Sequence, residues 1–169
     1  MGKRKRKKAY RPRAENANAF QWAISGAYTL PLEKQRELVG YVDSSLARFY
    51  AGTATRDDWN VVANGMNISV ALAYFKIGAS VVDEINAGLD VLHAVARRML
   101  SGQGPILTGG EVDAIRLGRD IYESQLAICS QAEAHRAVAR VRDMHRSGGM
   151  TDMAKLYADM AAAPVLEAA

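Results

Sequence analysis

Apolar residues recur along this chain at intervals of three and four. Nowhere do they alternate over a run of β-branched residues bounded by hairpin turns, so the pattern predicts helices and no sheet. The stripe Leu38, Val42, Leu46 and Phe49 is opened by Pro31 at a first-turn position, with Glu33 behind it, and closed by Gly52. A second helix opens on Thr55-Arg56-Asp57-Asp58, where Thr55 can cap and the acids suit the positive end of the helix dipole. Its stripe is Val62, Met66, Val70, Ala73 and Ile77, before Gly78. Leu72 and Phe75 stand on other faces, which predicts a central helix. Ser80 is the expected cap of a third helix carrying Val81, Ile85, Leu89, Leu92, Val95 and Met99, with Gly102 after it. Ahead of these, Ala14–Tyr28 predicts a short first helix with Phe20, Ile24 and Ala27 on one side, although Gly26 disfavours it.

Residues 101–110, rich in glycine, predict a loop, and Thr108 with Glu111 has the spacing of a capping box. From there to Arg146 no proline occurs. The stretch 109–146 reads equally as one helix of roughly 54 Å or as two. The second choice places a break near Cys129–Ser130, because Ser130 and Glu133 repeat the capping spacing. Gly148-Gly149 closes the segment, and Thr151 opens a last short helix to about Ala162, before Pro164. The residues expected in the core are Met66, Val70, Leu72, Ile85, Leu89, Leu92, Val112, Ile115 and Val138. The fold class is therefore all-α: a single bundle of five to six helices over residues 14–169, with residues 1–13 a disordered basic arm.

Charge changes this picture at one end. The chain of 169 residues has a formal net charge of +4. Residues 1–13 hold eight cations and no acid: Lys3, Arg4, Lys5, Arg6, Lys7, Lys8, Arg11 and Arg13. The rest carries 14 basic and 18 acidic groups, a balance of −4. A basic nucleic-acid-binding fold keeps its excess in the folded part; here electrostatic binding falls to the arm. Such an arm suits phosphates, with little discrimination among sequences. Arg11 and Arg13, on either side of Pro12, suit entry into a minor groove. Solubilising an acidic body, a nuclear-localisation-like patch and docking on an acidic protein surface are the competing uses. A second set, Arg136, Arg140, Arg142 and Arg146, has Arg136 and Arg140 on one helix face, with Val138 and Val141 on another. It reads first as the solvated side of an amphipathic helix.

Other chemistry is sparse. Asp90 and His93 are three apart on a helix, but a di-metal bundle needs two such units with further acids, so no metal site is expected. Cys129, the only cysteine, reads as a small buried thiol, excludes an intramolecular disulfide and suits a reducing compartment. No nucleophile elbow, His-Glu-x-x-His or phosphate loop occurs. Neither an enzyme nor a cofactor is expected. The least charged stretch, Trp59–Val82, is interrupted by Asn60, Asn64, Asn67 and Ser69, and predicts a core helix, not a membrane span. Glu15 to Asn18 separates the basic start from a short apolar run, against a secretory leader. A cytoplasmic protein follows.

The opening Lys-Arg-Lys-Lys-Ala-Tyr-Arg-Pro-Arg at 5–13, with Arg4 before it, resembles the start of a family of small hypothetical proteins from proteobacterial phages, prophages and plasmids. Ala-Gly-Leu-Asp-Val-Leu-His-Ala-Val at 87–95 is similar to the same family, and has a plain core reading with Leu89 and Leu92 inward. The resemblance covers under a fifth of the chain. It implies a bacterial or phage setting and an accessory role in a mobile element; it carries over no site residue. The expected function is an accessory binding protein using its arm for sequence-unspecific contact with the DNA or RNA phosphate backbone. The alternative is a protein-interaction module that modulates a host complex without touching nucleic acid. A homo-oligomer is compatible with either.

Overall fold

The computed structural model describes residues 26–149. Five α-helices stand within them: α1 (Leu32–Tyr50), α2 (Arg56–Tyr74), α3 (Val82–Leu100), α4 (Gly109–Ile128) and α5 (Gln131–Arg146). A 3-10 turn, Ala79–Val81, precedes α3. The described residues contain no strand, only one antiparallel bridge between Thr29 and Ser130. The chain is all-α, as its periodicity predicts. Gly26 and Ala27 are helical. Residues 14–25 of the expected first helix, and the helix expected from Thr151, lie outside the described residues. Among those described, no helix is long and apolar enough to cross a membrane.

Three helices start on reciprocal capping boxes: Thr55 with Asp58, Thr108 with Glu111, and Ser130 with Glu133. Each satisfies two amide donors that the first turn would leave unpaired. The third box separates α4 from α5, so 109–146 forms two helices, not one. Cys129 between them is extended (φ −73°, ψ 148°). The backbone groups freed by the break are taken up by the strand of chain ahead of α1. The Leu30 N–H donates to the Cys129 carbonyl at 3.1 Å, and the Gln131 N–H to the Tyr28 carbonyl at 2.9 Å.

α2 touches all four other helices and is the centre of the bundle, as its apolar faces predict. Trp59, Val62, Met66 and Leu72 are buried along it. The indole N–H of Trp59 donates to the Leu92 carbonyl of α3 at 2.7 Å. Met66 fills a recess where α3 and α4 carry Gly88 and Gly118; a β-carbon on either would stand 3.0–3.1 Å from its thioether end. Gln125 of α4 is buried and ties two segments together. Its amide donates to the Ser69 carbonyl at 3.1 Å and the Ile77 carbonyl at 2.8 Å, and its oxygen accepts from the Ser69 hydroxyl. The opposite charges of Arg119 and Asp43 (2.7 Å) link α4 to α1.

Several expectations need correction. Pro31 does not occupy the first turn but precedes it, its extended backbone (ψ 139°) letting its carbonyl accept from the Gln35 N–H at 3.0 Å. Ser80 does not cap α3; it sits in the 3-10 turn that begins after left-handed Gly78, and the Val81 N–H closes that turn on the Gly78 carbonyl at 3.3 Å. Of the expected core, Met66, Leu72, Ile85, Leu92 and Ile115 are buried, while Val70, Leu89 and Val112 are half-buried. Val138 is exposed, because α5 meets the bundle along the narrow line Ala134, Ala137 and Val141. The stripe of α2 also overshoots: the helix ends at Tyr74, not at Gly78.

Candidate nucleic-acid interface

The eight cations expected to contact phosphate, Lys3 to Lys8, Arg11 and Arg13, lie outside the described residues. The described chain begins beside α5. A β-carbon on Gly26 would lie 3.1 Å from that of Ala132, in the first turn of α5. From there α5 runs antiparallel to α2. Arg136 lies over the ring of Phe75 at 5.0 Å, Arg140 over the ring of Tyr74 at 3.9 Å, and His145 Nε2 faces Asn64 Oδ1 at 3.2 Å.

The arginines of α5 are thus placed differently from those elsewhere. Arg48, Arg98 and Arg119 each hold a carboxylate within 2.7 Å or less and serve the packing of their helices. Arg136 and Arg140 form no ion pair with any described residue. Glu133 is the nearest acid in sequence to Arg136. Its carboxylate is engaged with the Ser130 N–H and hydroxyl, both at 2.8 Å, and these bonds, with a lesser contribution from the Arg136 charge, hold its pKa below the usual range. A guanidinium resting on an aromatic face keeps its in-plane N–H donors directed outward, available to an external oxyanion. The solvated face expected of Arg136 and Arg140 is therefore a pair of cations held by rings and engaged in no ion pair among the described residues.

A shallow open groove of about 500 Å³ follows α5 here, lined by Phe75, Arg136, Ala139, Arg140, Asp143 and Met144, with Ser147 at its end. Asp143 is its one acid, 3.7 Å from the Arg146 guanidinium. The rings themselves are paired: Tyr74 and Phe75 meet near a right angle (79°) with centroids 5.5 Å apart. Tyr74 is 62% exposed.

Lys76 follows directly and is strained. α2 closes with the Ile77 N–H on the Leu72 carbonyl (3.1 Å) and the Lys76 N–H on the Ala73 carbonyl (2.9 Å), a Schellman motif. α1, α3 and α5 close in the same way, with Gly52, Gly102 and Gly148 at the left-handed position. Only α2 puts a side chain there: Lys76, at φ +71°, is the one non-glycine with positive φ among the described residues. The sequence pattern does not single out Tyr74 and Lys76, and marks Phe75 only as an apolar residue, because Gly78, two residues beyond Lys76, imitates the stop signal that Lys76 provides.

The remaining chemical candidates of the sequence are His93 and Cys129. His93 is half-buried, its ring 6.2 Å from that of Trp59, and burial lowers its pKa against the pull of Asp90. Cys129 is buried, its thiol pushed up by burial, and donates weakly to the Leu126 carbonyl at 3.6 Å. Among the described residues no three His, Cys, Asp or Glu side chains gather as a metal would require. Comparison of the chain with protein-family models, with curated proteins and with solved structures gives no match.

Proposed function

We propose that this protein is an accessory nucleic-acid-binding factor whose N-terminal cations supply sequence-unspecific phosphate contact. One observation carries the reading: eight cations and no acid stand on thirteen residues, while the rest of the chain is net acidic by four. Charge segregated in this way serves attraction to a polyanion rather than cohesion of the fold. The likeness of residues 4–13 and 87–95 to small proteins of phages and plasmids supports a setting in a mobile element.

Salt dependence tests it. If about five to eight cations meet duplex phosphates, log K falls against log salt with a slope of roughly −4.5 to −7. Deleting residues 2–13 removes none of the described core and should leave the circular dichroism of the helices unchanged. It should abolish most of the binding and flatten the slope. Equal affinity of the truncated and full chains at equal salt would move the contact to the folded body. No binding by either at low salt would leave the arm as a protein-docking or solubilising element.

A further inference from the structure

The contact between α5 and the end of α2 has features that neither packing nor a purely electrostatic arm requires. We infer that this surface is a binding site for single-stranded nucleic acid, with Arg136, Arg140 and Lys76 taking phosphates and Tyr74 offering its ring to a base. The inference rests on the nucleic-acid reading and narrows it to a strand whose bases are exposed.

Five observations converge. Arg136 and Arg140 are one turn apart on α5, about 6 Å along the axis, and neither forms an ion pair with a described residue. Each is oriented by a ring, Phe75 at 5.0 Å and Tyr74 at 3.9 Å, so little side-chain freedom is left to lose on binding. Tyr74 is 62% exposed although Arg140 already rests on it. An exposed aromatic side chain beside cations is the kind of group on which single-strand binders stack bases. The groove beside it is lined by apolar Phe75, Ala139 and Met144, and its one acid, Asp143, stands 3.7 Å from the Arg146 guanidinium. It is open along its length, which fits a polymer lying across it rather than an enclosed small molecule. Finally, the left-handed backbone at Lys76 costs free energy that glycine, used at the equivalent point of three other helices, would avoid. The lysine adds an exposed cation next in sequence to the two rings.

A duplex presents only phosphates to such a surface, because its bases stay stacked inside. The rings would then contribute nothing, and a net acidic body would oppose the denser charge. An unpaired strand uses both parts, phosphates on the guanidinium and ammonium groups and a base on the ring.

The test uses the full-length protein, a labelled oligothymidine and a duplex of equal length, with binding read by fluorescence anisotropy at low and moderate salt. The single strand should bind more tightly than the duplex. Tyr74→Ala should weaken it about tenfold and leave duplex binding unchanged. Arg136→Gln with Arg140→Gln should also weaken it and reduce the magnitude of its salt slope by about 1.4. All three side chains are exposed, and circular dichroism verifies that the variants fold. Two results overturn this inference alone: equal or tighter binding of the duplex, or a single-strand preference that survives both variants. Absence of binding to either nucleic acid at low salt overturns it together with the proposed function.

Discussion

Replacing Gly118 by alanine in the middle of α4 should fail to stabilise the protein, against the sense of helix propensity. In an ordinary helix interior that change gains about 1 kcal/mol. Here the new methyl would stand 3.0 Å from Met66 Cε, 3.5 Å from its Sδ and 3.9 Å from its Cγ. Met66 is buried, and the β-carbon missing from Gly88 of α3 leaves it one direction in which to yield. That side is also tight: a β-carbon on Gly88 would lie 3.1 Å from Met66 Sδ, 3.2 Å from Cε and 3.3 Å from the Ala114 carbonyl oxygen. Overfilling a packed core costs about 1–3 kcal/mol, so either glycine replaced alone should leave the protein between unchanged and about 2 kcal/mol less stable. Replacing both removes the escape route, and the double variant should lose about 1 kcal/mol more than the two singles added. Met66→Ala should itself cost about 2–5 kcal/mol. In that background Gly118→Ala meets none of its three close neighbours beyond the Cβ that remains, and should stabilise by about 0.5–1 kcal/mol. Urea denaturation followed by far-UV circular dichroism measures every corner of this cycle. A double variant as stable as the parent, or a coupling that persists without the methionine side chain, would refute the reasoning.

Two further outcomes are expected. Burial raises the Asp58 carboxyl, but the Thr55 N–H, the Arg48 guanidinium and the Thr55 and Ser45 hydroxyls outweigh it and bring it to about 2; the Arg98 fork and the Thr108 N–H, against partial burial, bring Glu111 to about 2 as well. Both values lie below the ordinary ones, so the folded state binds fewer protons: this stability is complete above about pH 5 and is lost as pH falls through about 2. Melting temperature should therefore drop across that window, and Glu111→Gln should flatten the drop; an unchanged profile would deny the pairing its role. Lys76→Gly should raise stability by up to about 1 kcal/mol, the left-handed penalty less the entropy of glycine, while weakening single-strand binding; a lower melting temperature would show that the lysine side chain contributes more to the fold than its backbone costs.

Much of the fold was legible in the sequence because its causes are local. A helix repeats every 3.6 residues, so stripes such as Val42, Leu46 and Phe49 announce it wherever its partners lie. Capping boxes close within four residues, so Thr55 with Asp58 and Thr108 with Glu111 mark their helix starts without help from the rest of the chain. The charge segregation of the first thirteen residues is likewise a property of the sequence itself. What tertiary structure decided are the features whose causes are distant in the chain. One helix or two over 109–146 was balanced locally; residues 28–30 tip it by binding the backbone that the break exposes. α2 stops at Tyr74 because the Schellman bonds form around a lysine, where local propensity favours the glycine two residues on. Val138 faces outward because rotation of α5 about its own axis is set by how Ala134, Ala137 and Val141 meet α2. The same rotation seats Arg136 and Arg140 on Phe75 and Tyr74. A sequence records which helix face carries two arginines, but the ring each one rests on depends on the register between two helices, and packing alone sets that register.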